Sequence, residues 1–128
     1  MADYTATIIE SSSELSAKEK IALKDLSNAI GLDVETENGS MVFAPTAYAV
    51  LQIHNERSKN EKDYTKFIVI DDNGNKYVTG SKSFWQAFTE IWESMKADAP
   101  GELYSIEVYK KPSRNYQGKA FLTCSIVL

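Results

Sequence analysis

The chain has 128 residues, 43% of them hydrophobic and 25% charged, with a formal net charge of −4; this fits one ordinary globular domain and leaves little room for a second. A single cysteine, Cys124, excludes an intrachain disulfide and a cysteine-rich zinc site, and no apolar run approaches the ~18 residues that span a bilayer. The start, Met1-Ala2-Asp3-Tyr4, lacks the basic and apolar stretches of a secretory signal, so a reducing cytoplasm is the expected compartment.

Thr5 to Ile9 is a short strand candidate. Ser16-Ala17-Lys18-Glu19 reads as a capping box, and Ile21, Leu23, Leu26 and Ile30 follow at roughly helical spacing with Gly31 as a stop, predicting a helix from about 17 to 29. Residues 31–45 are polar and turn-rich and read as a connection, with a short strand at Met41-Val42-Phe43. From Ala47 the pattern sharpens. Ala47, Ala49, Leu51 and Ile53 alternate with Tyr48, Val50, Gln52 and His54, the period of a strand. Asn55 to Asp63 is a polar break, Tyr64 to Ile70 is β-rich, Asp72-Asn73-Gly74-Asn75 is a hairpin turn by composition, and Lys76 to Thr79 opens a third strand.

The period then changes. Phe84, Trp85, Phe88, Ile91, Trp92 and Met95 form one broad apolar stripe of a helix, capped by Ser81 or Ser83 and closed before Pro100-Gly101. Tyr104 to Tyr109 and Lys119 to Leu128 are the last two strands, separated by the loop Lys110 to Gly118. The order β-β-β-α-β-β predicts a mainly β (α+β) fold: a five-stranded OB-type barrel with a helix between strands three and four, plus an N-terminal helix. One domain over 1–128 is expected, with 1–45 as a helical extension and connection and 46–128 as the barrel core.

Catalytic chemistry has little support, and no enzyme and no cofactor are expected. The single histidine, His54, lies on a predicted strand, and Cys124 lies on the inward face of the last one, where a small buried thiol is the ordinary reading. Asp71-Asp72 resembles a metal pair, but it stands at the mouth of a hairpin turn, where backbone reasons favour Asp. Trp85 and Trp92 share the face of Phe84 and Phe88 and are expected to pack against the barrel.

Charge is unevenly distributed. Residues 1–45 carry a net −5 and residues 46–128 a net +1. The cations gather in the two loops that border the ligand groove of an OB barrel. Arg57, Lys59 and Lys62 lie in the first; Lys110, Lys111, Arg114 and Lys119, with Tyr116, lie in the second. Cations on both walls can follow a phosphate backbone while aromatics receive base faces. Strand phase, with Ala47, Leu51, Ile53, Ile106 and Val108 inward, turns Tyr48, Tyr109 and Phe121 outward. Phe121 is then either covered by the N-terminal helix or a stacking platform. Strand two is apolar on both sides, which leaves Tyr64 and Phe67 unphased.

The stretch from Glu107 to Leu128, with its Lys-rich strand end, Ser/Asn/Gly loop, Gly118-Lys119 and closing strand, and the upstream Val78-Thr79-Gly80-Ser81-Lys82-Ser83-Phe84, resembles the small single-stranded DNA-binding proteins of tailed phages. The resemblance covers about residues 46–128. It implies a viral protein that binds single-stranded DNA with little sequence preference in phage DNA replication or recombination, in the host cytoplasm. Phage or host replication proteins are the further partners it implies, with no membrane. Family-type residues map onto Arg57, Lys110, Lys111, Arg114, Tyr116 and Phe121. Many such proteins end in an acidic tail, whereas this sequence ends in Ile126-Val127-Leu128 within a strand. The competing reading is an OB-fold interaction or inhibitor module that does not bind nucleic acid, which the acidic net charge favours. Monomer and homodimer are both open.

Overall fold

Alternation and turn chemistry become eight strands and three helices in the computed structural model, which describes residues 4–59, 61–112 and 120–128. In chain order these are β1 (Tyr4–Ser11), α1 (Ala17–Lys24), β2 (Ile30–Gly31), α2 (Leu32–Glu35), β3 (Met41–Phe43), β4 (Pro45–Asn55), β5 (Asp63–Asp71), β6 (Lys76–Thr79), α3 (Lys82–Asp98), β7 (Ile106–Pro112) and β8 (Ala120–Ile126). The fold is mainly β. A five-stranded sheet has the order β1-β4-β5-β6-β2, and a three-stranded sheet the order β3-β7-β8.

The closed five-stranded barrel expected from the sequence is not formed. The physical reason lies in the N-terminal segment, which occupies edges of the β4-β5-β6 meander. β1 pairs antiparallel along β4, and β2 pairs parallel with β6 through Ile30↔Tyr77 and Gly31↔Val78. The β7–β8 hairpin pairs instead with β3, through Met41↔Val108 and Phe43↔Ile106. Only Ala44 separates β3 from β4, so one stretch of chain gives a strand to each sheet.

Both faces of the larger sheet are packed. On one side Val69 and Tyr77 meet Phe84 and Phe88 of α3 and Ile106, Val108, Leu122 and Cys124 of the smaller sheet. On the other, Leu23 of α1 seals Ala49, Leu51, Ile53 and Ile68. This overturns the inward-outward assignment of Tyr48. Ala49, Leu51 and Ile53 do share a face, but that face lies under α1. Tyr48 therefore points into the α3 side, its ring 5.2 Å edge-on from both Trp85 and Trp92. The tryptophans pack against the strands as expected, Trp85 also stacking on Phe67 at 4.7 Å.

Helix α1 carries the anticipated capping box, Ser16 with Glu19, but stops at Lys24 rather than near 29. The Asp25 carboxylate draws the Ser27 amide at 3.0 Å and its hydroxyl at 2.6 Å, a local turn that competes with helix. The Lys76 ammonium donates to the carbonyls of Ala22 and Asp25 and ties off the end. Gly31, expected as the stop, instead belongs to β2 and opens α2, whose Leu32 is fully buried. Ser81 caps α3, accepting from the Phe84 amide.

At the β5–β6 turn the buried Asp71 carboxylate accepts hydrogen bonds from the amides of Asn73 and Asn75, the Asn75 side chain and the Tyr77 hydroxyl. Burial pushes this carboxyl up, but the hydrogen bonds outweigh it and hold it below its ordinary range, while burial and the carboxylate drive the Tyr77 phenol up to about 12. Gly74 takes φ +84° here, a conformation glycine adopts without steric cost.

Candidate nucleic-acid interface

The β7–β8 hairpin alternates cleanly. Ile106, Val108, Leu122 and Cys124 are buried, and burial drives the Cys124 thiol up to about 12, so it is not a thiolate at neutral pH. The opposite face turns outward. On it Phe121 stands directly across from Lys111, and Tyr109 across from Thr123, which makes Phe121 and Tyr109 diagonal neighbours. The Tyr109 and Ser125 hydroxyls share a 2.8 Å hydrogen bond that fixes the tyrosine on that face. Helix α1 packs on the other sheet, through Leu23. Of the two alternatives for Phe121, cover by this helix is therefore not what the structure has. Lys110 and Lys111 are exposed at the hairpin end. Arg114, Tyr116 and Lys119 lie outside the described residues.

The β4–β5 hairpin presents Arg57, Lys59 and Lys62, all exposed. Asn55 organises its base. The Asn55 amide donates to the Lys62 carbonyl at 2.6 Å, and its side-chain oxygen accepts the Arg57 amide at 3.0 Å. Above it runs a charged chain of contacts. His54 Nδ1 lies 2.8 Å from Asp63, His54 Nε2 lies 2.6 Å from Glu56, and the other Glu56 oxygen takes Lys62 Nζ at 3.1 Å. Carboxylates only accept, so satisfying both ring nitrogens requires the doubly protonated imidazolium. The hydrogen bonds from Asp63 and Glu56 hold the His54 pKa above its ordinary value. Lys62 is thus paired within the protein.

The register of β5 resolves residues that the sequence left unphased. Tyr64 lies opposite Ile53 and Lys66 opposite Leu51, which places both on the α1 side of the larger sheet, while Phe67 faces α3. Lys66 Nζ sits 5.8 Å from the Tyr64 ring centroid, a cation–π pair. Tyr4 of β1, opposite Asn55, is 44% exposed on the same face. Burial and then the nearby Tyr64 raise its phenol pKa. Helix α1 is tied by Lys76 to the far end of this face, since Lys76 pairs with Ile70 at the other end of β5. Tyr64 was left unphased by the sequence, and Tyr4 and Lys66 were not singled out. The alternation Tyr64-Thr65-Lys66 was the available signal, masked by the continuous apolar run that follows.

The β4–β5 tip lies at the Asn55 end of the continuous Met41–Asn55 stretch, and the β7–β8 tip beyond its Met41 end. Tyr48, expected among the outward aromatics, belongs to neither surface. Among the described residues no helix is long and apolar enough to cross a membrane. Comparison with protein-family models, with curated proteins and with solved structures finds no match.

Proposed function

We propose that the protein binds single-stranded DNA with little sequence preference, on an open arrangement of OB type. The observation that carries this reading is the outward face of the β7–β8 hairpin. There the half-exposed rings of Phe121 and Tyr109 adjoin Lys111, while helix α1 packs on the other sheet. Phe121 is half-buried on this outward face, and a flat ring beside a lysine suits a base and its phosphate. The second cation-bearing hairpin supports the same reading, because β5 carries Tyr64 and Lys66 near the tip that bears the exposed Arg57 and Lys59. For the OB type, the support is the chain order β4-β5-β6-α3-β7-β8 and the single stretch that feeds both sheets. Phosphate contacts make the binding weaken as salt rises, and stacking makes it tolerant of sequence.

The test is a titration of fluorescent oligo-dT, and of a duplex of equal length, at two salt concentrations. The expected result is binding to oligo-dT that falls with salt and exceeds binding to duplex. No binding to oligo-dT at low salt overturns the reading, and so does equal preference for duplex.

A further inference from the structure

Among the described residues the outer edge of β1 is unpaired, and its composition is unusual for such an edge. β1 is hydrogen-bonded to β4 on one side and ends the five-stranded sheet on the other. Free edges in soluble proteins are normally blunted by charge, proline or a bulge. From Tyr4 to Ile8 this edge has none of these: the residues are Tyr4-Thr5-Ala6-Thr7-Ile8, and the first register shift against β4 comes only between Ile8 and Glu10.

We propose that this edge pairs antiparallel with the same edge of a second copy of the chain, about a two-fold axis at Ala6, joining two sheets into one. A two-fold axis perpendicular to the sheet keeps each side chain on its own face, so the paired positions must be of equal parity. Centred on Ala6, Tyr4 meets the second copy's Ile8, and Thr5 meets its Thr7. An aromatic opposite a β-branched residue and Thr opposite Thr are both favourable cross-strand pairs, and no charge stands opposite a like charge. The aliphatic face of β1, Ala6 and Ile8, already belongs to the cluster under α1, so pairing extends an existing apolar layer. The bulge at Ile9 then ends the ladder, with Glu10 beyond it, opposite Val50.

The choice of a second copy over another extended peptide rests on charge. The crevice between β1 and α1 is lined by Glu10 and Glu14 and by Lys20 and Lys24. This balanced set selects no peptide of net charge, whereas the match of the edge to itself, Tyr4 to Ile8 and Thr5 to Thr7, is what a second copy supplies. The pairing does not depend on the DNA reading.

The experiment is sedimentation velocity of the whole chain over a wide concentration range, without DNA. The expected result is a doubling of mass at high concentration, with the β1 amides gaining hydrogen-exchange protection in parallel. Thr5→Lys with Thr7→Lys puts lysines opposite lysines on exposed positions and is expected to hold the protein monomeric. Mixing that variant with one carrying Thr5→Glu and Thr7→Glu is expected to restore a mixed dimer. A protein that stays monomeric throughout overturns the proposal, as does a dimer unaffected by the lysine pair.

Discussion

Phe121 on β8 stands directly across from Lys111 on β7, on the face of their sheet turned away from the core. The pair separates two contributions to binding. Removing the ring by Phe121→Ala is expected to cost about 1–3 kcal/mol, roughly 5- to 150-fold in affinity for oligo-dT, at every salt concentration. Lys111→Ala is expected to lower the slope of log affinity against log salt by about 0.7, the value for one phosphate contact on a single strand. Anisotropy titrations across a salt series check both. If Phe121→Ala leaves affinity unchanged, this face is not the stacking surface.

Tyr48 tests the other side of the assignment. Its ring lies among Trp85, Phe88 and Trp92, and burial is the first cause of its raised phenol pKa. Tyr48→Ala is expected to destabilise the fold by about 2–4 kcal/mol, the range for truncating a well-packed aromatic, moderated here by partial exposure. Affinity per folded molecule should not change. Denaturant unfolding and oligo-dT titration of the same sample distinguish packing from contact.

The difference between Tyr48 and Phe121 shows what the sequence makes legible. Period two gave the correct alternation in both strands, and in β8 it also separates the buried Leu122 and Cys124 from the half-exposed Phe121 and Thr123, because the core cluster packs on one face of that sheet. In β4 it does not, because both faces are packed, and periodicity cannot tell a face under a helix from a face under a sheet. The strand and helix order from Pro45 onward was readable for the same local reasons: turn residues at Asp72 to Asn75, a cap at Ser81, and a change from period two to the helical stripe. Barrel closure was not. It depends on a two-residue parallel pairing, Ile30-Gly31 on β6, too short to leave a periodic signal. Tyr64 and Lys66 became assignable only through their register with β4.

Tyr104 carries a different prediction. Its hydroxyl is buried with no hydrogen-bond partner among the described residues, and burial raises its pKa. A phenol so placed keeps the desolvation cost without the compensating bond. Tyr104→Phe is therefore expected to be neutral or to stabilise the fold by about 1–2 kcal/mol, read as an upward shift in thermal midpoint. A clear loss of stability would show that the hydroxyl has a partner.

His54 connects pH to the β4–β5 hairpin. Its two ring nitrogens face Asp63 and Glu56, and Glu56 in turn holds Lys62. Across the sheet the neighbouring β1 residue is Thr5, which brings no charge. The folded pKa is raised above the unfolded value of about 6.5. The stabilisation from these contacts is therefore complete below the unfolded pKa and is lost as pH rises through the folded one. Above that point a neutral ring can donate to only one carboxylate, and the hairpin also loses a positive charge. Oligo-dT affinity is then expected to fall modestly over the same pH interval, and His54→Gln to flatten that dependence. Since the chain has one histidine, a nuclear magnetic resonance titration of its ring reports the pKa without ambiguity. The contacts are exposed, so added salt should bring the pKa back toward its ordinary value. A ring that titrates at or below that value in low salt would mean that the two carboxylate contacts are not held in solution.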